Sequence, residues 1–158
     1  MFSLRKILDR EKMSTIIYAN TAPLTFYLAG GHVDIPTTYF RSTGFYRIRA
    51  VGKMPFNNTS LTFSWGSQAA PLGPYGVAVS PSGQDMYFEY EADMCVGSVI
   101  SQRQNLRLYC NDDLLANLGS STSVPNTAEP TLTLKIANVG VTQFSQSMTV
   151  SSLVVEQF

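Results

Sequence analysis

The sequence predicts an all-β chain, an antiparallel β-sandwich or barrel entered through a short helical arm. Three observations carry this. From residue 14 onward apolar residues recur with a period of two, the mark of half-buried strands. Gly, Pro, Asn and Ser clusters separate the alternating runs at short intervals. No helix-length pattern interrupts the series, and no repeat of fixed period appears.

Residues 1–13 contain "FSLRKILDREKM", in which Leu4, Ile7, Leu8 and Glu11 follow helical spacing and leave a narrow apolar stripe. A helix of about a dozen residues is marginal by itself, so it needs a surface to lie on, either its own domain or a neighbouring subunit. In the second case Phe2, Leu4, Ile7 and Leu8 are the anchors. Residues 14–158 form the β domain. Its clearest strands are "STIIYA", "PLTFYLAG", "GFYRIRAVG", "SLTFSWG", "YGVAVS", "MYFEYEADM", "VGSVIS", "NLRLYCN", "TLTLKIANV" and "SMTVSSLVVEQF". The segments "GGHVDIP", "KMPFNN", "GSQAAPLGPYG", "SPSGQ", "NDD" and "GSSTSVPNTAEP" read as turns. In the last strand Met148 and Val150 are in phase while Leu153 and Val155 have the opposite parity, which predicts a bulge near Ser151 and Ser152. Leu108 and Leu134 are predicted core residues.

With 158 residues the chain is long enough for one domain with a real core. Charged residues make up only 14%, against roughly 25% in ordinary soluble chains. Seventeen serines and fourteen threonines supply the missing polarity. A net charge of zero argues against a nucleic-acid partner, whose phosphates call for many Lys and Arg. Residues 1–53 nevertheless carry +5 and the remainder −5. The halves either pair within one sheet system or meet head to tail between subunits. Charges interrupt the start of the chain where an apolar secretory segment would lie, and no run reaches the roughly 18 apolar residues of a membrane span. The expectation is a chain made in the cytoplasm without export.

The densest set of reactive groups is Glu89, Glu91 and Asp93 at alternate positions of "DMYFEYEADM". Alternate strand residues stand roughly 7 Å apart, so the three cannot wrap one ion. A solvated face with cation partners fits better. Arg47 and Arg49, which share a face of "FYRIRAV", are the expected partners across the sheet. Cys95 and Cys110 flank "SQRQN". A hairpin turning there with Ile100 opposite Leu106, Ser98 opposite Leu108 and Val96 opposite Cys110 keeps Phe88, Tyr90, Ala92, Met94, Val96 and Ile100 inward. That register leaves both thiols free. The single histidine, His32, sits in a Gly-rich turn without a metal-spaced companion, and no catalytic motif occurs. The sequence therefore predicts no enzyme, no metal and no cofactor.

The runs "GFYRIRAVGK", "LTFSWG", "YFEYEAD" and "LRLYCNDDLLANL" resemble the jelly-roll β-sandwiches of carbohydrate-binding and galactose-binding-like domains over residues 40–158. The resemblance implies a jelly-roll-like β-sandwich and glycan contact through aromatic residues. Tyr39 and Tyr75 lie in or beside loops and are the candidates, with Trp65, whose phase with Leu61 and Phe63 suits the core better. The chain also looks like the accessory and surface proteins of virus and bacteriophage particles. A hydroxyl-rich surface of low charge, no export signal and an arm suited to gripping a scaffold carry that likeness. It implies a non-catalytic virion module whose partners are other subunits, as a homo-oligomer or among capsid or tail neighbours.

Overall fold

Among the described residues the alternating runs form strands, and every pairing between them is antiparallel. The computed structural model describes residues 14–26, 32–35, 43–54, 60–65, 84–125, 132–137 and 148–158. The strands are β1 (Thr15–Ala19), β2 (Leu24–Phe26), β3 (His32–Ile35), β4 (Gly44–Met54), β5 (Ser60–Trp65), β6 (Met86–Val96), β7 (Val99–Cys110), β8 (Asp113–Pro125), β9 (Leu132–Ala137) and β10 (Met148–Gln157). Among the described residues there is no helix, and the arm of residues 1–13 lies outside them.

Seven strands form one sheet in the order β1-β10-β4-β6-β7-β8, with β2 sharing the edge of β10 beside β1. A second sheet has the order β3-β9-β5. The long strands of the first sheet bury every second residue. Tyr46, Ile48 and Ala50 of β4, Met86 to Val96 of β6 at even positions, Ile100, Leu106 and Leu108 of β7, and Met148, Val150, Leu153 and Val155 of β10 make one apolar cluster. The six residues expected to face inward from Phe88 to Ile100 all do so. Leu108 is buried as predicted; the side chain of Leu134 lies outside what is described.

Two devices keep this face continuous. The pairing of β10 with β4 slips between Val150 and Ser152, so Ser151 is the extra residue of a bulge. That bulge restores the inward phase and lets Val150 and Leu153 both be buried. Asn20 mends the edge beside it: its Oδ1 accepts from the Leu153 N–H (2.7 Å) and its Nδ2 donates to the Ser151 carbonyl (3.3 Å). Gly52 of β4 is opposite both Phe88 and Val150. A Cβ there would meet the Thr149 carbonyl oxygen and come within 2.6 Å of the Phe88 ring, so the close approach requires glycine.

Four local expectations are corrected. The β6–β7 hairpin turns at Gly97 and Ser98, with Val96 opposite Ile100 and Phe88 opposite Leu108, so "VGSVIS" holds a turn and "SQRQN" lies within β7. Gln102 and Gln104 occupy the buried face there, each 2% exposed. Gln102 donates to the Tyr90 hydroxyl (2.8 Å), which donates to Gln104 Oε1 (2.8 Å), so tertiary partners carry polar residues into the core. The hydroxyl-rich "GSSTSVP" is the second half of β8 and no turn: pairing along β7 overrides its weak strand propensity. His32 begins β3, because its backbone pairs with Lys135. Asn111 and Asp112 do turn as expected, both at positive φ (50° and 66°), the conformation a two-residue type I′ hairpin needs.

Cys95 and Cys110 are not disulfide-bonded, as predicted, but for a different reason than the expected register. Cys95 pairs with Ser101 on the outer face, whereas Cys110 is buried at the other end of β7. About 30 Å of strand separates them at roughly 3.3 Å per residue, far beyond disulfide reach.

Candidate functional site: the outer face of the large sheet

The residues alternating with the core form a broad solvent face. Its columns differ in charge because each strand has one dominant type at these positions. β4 contributes Arg47, Arg49 and Lys53, β6 contributes Glu89, Glu91 and Asp93, and β7 contributes Arg103 and Arg107. β8 adds Asn117, Gly119, Ser121 and Ser123 opposite them. Arg47 stands across from Asp93 and Arg49 across from Glu91, so register alone brings each pair together.

Every carboxylate of the acidic row has a partner. Asp93 accepts from Arg47 Nε at 2.6 Å and Nη2 at 3.3 Å. Glu91 accepts from Arg49 at 3.0 Å. Glu89 accepts from the Tyr109 hydroxyl at 3.2 Å and lies 3.6 Å from Arg107. At the margins Lys53 meets Asp85 at 2.7 Å, and Arg49 lies 3.7 Å from Glu156. The hydrogen bond to Asp93 holds the Arg47 guanidinium above its ordinary pKa; desolvation opposes it, and the fields of Asp93, Glu91 and Glu156 add to it. The hydrogen bond to Asp85 raises Lys53 in the same way. Four of these five ion pairs, those of Arg47, Arg49 (two) and Lys53, join cations of the positive half of the chain to anions of the negative half within one sheet; Arg107–Glu89 lies within the negative half. Among the described residues no three His, Cys, Asp or Glu side chains gather as a metal site.

At one end the paired charges give way to exposed aromatic rings. Phe45 is 62% exposed and Phe158, just past β10, is 53% exposed; its N–H donates to the Phe45 carbonyl (3.0 Å). Arg47 lies over the Phe158 ring, 5.4 Å from its centre. Between these rings and the β7–β8 hydroxyls runs an open groove of about 780 Å³, lined by Phe45, Phe158, Cys95, Ser101, Arg103 and Ser123 among others. Arg103 also borders a second hollow with Asn105, Asn117 and Gly119. Among the described residues it pairs with no carboxylate, since Asp93 opposite is held by Arg47.

Of the predicted site residues, Arg47, Arg49, Glu89, Glu91 and Asp93 are brought together on this face. Phe2, Leu4, Ile7, Leu8, Tyr39 and Tyr75 lie outside the described residues. Trp65 is placed in β5, and its side chain lies outside what is described. Sequence reasoning missed Phe45, Phe158, Arg103 and Arg107. Phe45 shares the parity of Arg47 and Arg49 and was readable; Arg103 and Arg107 were hidden by the misplaced hairpin turn. Comparison with protein-family models, with curated proteins and with solved structures found no match.

Proposed function

We propose that the chain is a non-catalytic docking module of a large assembly, a virus or bacteriophage particle, folded as a jelly-roll-like β-sandwich. One face of the seven-stranded sheet is buried along four adjacent strands, which calls for a covering layer. The three-stranded sheet is the second layer in this reading. The observation that carries the docking role is the groove: exposed Phe45 and Phe158 rings beside a rim of Arg47, Asp93 and Arg103. Aromatic anchors with Arg and a polar rim are the anatomy of protein interfaces. Each carboxylate of the acidic row is held by a cation or a hydroxyl, which suits a recognition face. A weakly charged, hydroxyl-rich composition and the arm of residues 1–13 support a particle as the larger body.

Density-gradient sedimentation of the tagged chain from its native cell tests this. The full chain is expected in particle fractions. Removal of residues 1–13, or Phe45→Ala with Phe158→Ala, is expected to return it to the light fractions. Full-length chain found only at the top of the gradient overturns the reading.

A second reading is favoured by one feature of the same groove, the Ser101, Ser121 and Ser123 hydroxyls beside exposed rings, which suits a glycan. Binding to an immobilised glycan panel that Phe45→Ala abolishes would select it over a protein neighbour.

A further inference from the structure

The two edges of the seven-stranded sheet are finished differently. One is broken into two short pieces, β1 of five residues and β2 of three, against β10. The β1 ladder slips between Ile16 and Tyr18, and Asn20 caps the gap by exchanging hydrogen bonds with Leu153 (2.7 and 3.2 Å). Bulges and short strands are ways of keeping an edge from pairing with another chain. The other edge is β8, thirteen residues long. From Leu114 to Pro125 it carries no charged residue, and past the slip near Leu115 it runs in regular register to Pro125. Among the described residues only β7 pairs with it. Its inward side chains Ala116 and Leu118 pack on the core but stay partly exposed, unlike Leu106 and Leu108 next to them.

We propose that β8 is a dimerisation edge, pairing antiparallel with β8 of a second copy across a two-fold axis through residues 116–125. This rests on the assembly reading and deepens it by naming a second copy as the first neighbour. Two-fold pairing of the same edge is self-complementary and closes at two copies, because the opposite edge is blunted. About ten backbone hydrogen bonds would form along the segment. The charge pattern permits it: the neutral β8 columns meet at the axis, and the Arg103 and Arg107 columns come no nearer than three strand spacings. That is about 14 Å at roughly 4.8 Å each, beyond the screening length of about 8 Å at physiological salt. The second copy would also cover the exposed sides of Ala116 and Leu118.

Sedimentation velocity of the purified full chain tests this, together with Ser121→Lys/Ser123→Lys, which puts like charges beside the axis on two exposed positions. The native chain is expected to be a dimer, and the variant to dissociate at least about tenfold more readily. Amide exchange is expected to slow in residues 116–125 as the dimer forms, while protection of β6 and β7 stays equal in both proteins and reports an intact fold. A native chain that remains monomeric up to about 100 µM overturns the proposal. So does a dimer that the lysines leave unchanged. An intact dimer that never enters particle fractions overturns the assembly reading and leaves the β8 interface standing.

Discussion

On one face of the seven-stranded sheet Phe88, Tyr90 and Leu108 are shut away from solvent; one residue along the same strands, Glu89, Glu91 and Arg107 stand in it. Backbone, register and strand length are shared, so the difference between the faces is side-chain chemistry alone. Burial of an apolar side chain contributes roughly 1.5–3 kcal/mol. An exposed ion pair contributes a median near 0–1 kcal/mol. The inner face therefore holds the fold, and the outer face is free to be spent on recognition.

Leu108→Ala tests that contrast where it is largest. Leu108 is 1% exposed and opposite Phe88, so its loss opens a cavity costing roughly 2–5 kcal/mol. Arg107→Ala, its neighbour on the outer face, should stay within about 0.5 kcal/mol. Chemical denaturation of both variants makes the comparison, and equal midpoints would mean that the faces are assigned wrongly.

Gly52→Ala comes next. The added methyl group runs into a backbone carbonyl and the Phe88 ring at once, and neither can rotate away. A loss of about 3 kcal/mol is expected. Pairing it with Phe88→Leu should recover part of the loss if the ring is half of the obstruction; no recovery would put the whole clash on the Thr149 carbonyl.

Tyr90→Phe probes a polar patch within the inner face, where Gln102 and Gln104 are buried. It removes the hydrogen bonds to Gln102 and Gln104 while keeping the ring, at an expected cost of about 1–3 kcal/mol. Gln102 Oε1 already lacks a partner among the described residues, so the network has little slack. A melting temperature equal to that of the parent would show that these bonds are easily replaced.

What could be read in advance divides along the same line. Strong alternation made Phe88 to Val96 inward and Glu89 to Asp93 outward, and named Arg47 and Arg49 as partners, because period two links sequence directly to face. The Ser151 bulge was legible too, since a parity flip in "MTVSSLVV" has few other remedies. The hairpin at Gly97 and Ser98 was not. Gln102 and Gln104 continue the phase of Ile100 and Leu106, but read as surface residues until the Tyr90 hydroxyl, distant in sequence, is seen between them. The second half of β8 failed for a related reason: its serines gain strand geometry from β7, not from any pattern of their own. Phe158 joins the groove through its bond to Phe45 and its contact with Arg47, both far from it in sequence.

The smallest expected effect is at the rim. The hydrogen bond from Lys53 to Asp85 raises the lysine above its ordinary pKa, so the folded state holds that proton more tightly than the unfolded chain. A raised folded pKa contributes stability that is fully present below the unfolded value, near 10.4, and fades as pH climbs through the folded one. Lys53→Gln should therefore differ from the parent by a small, constant amount between neutral pH and about pH 10. Above that the two stability curves should converge as the parent lysine deprotonates. Urea titrations at a series of pH values measure the gap. A gap that widens above pH 10, or one already closing near neutrality, would show that Asp85 is not the group holding the proton on Lys53.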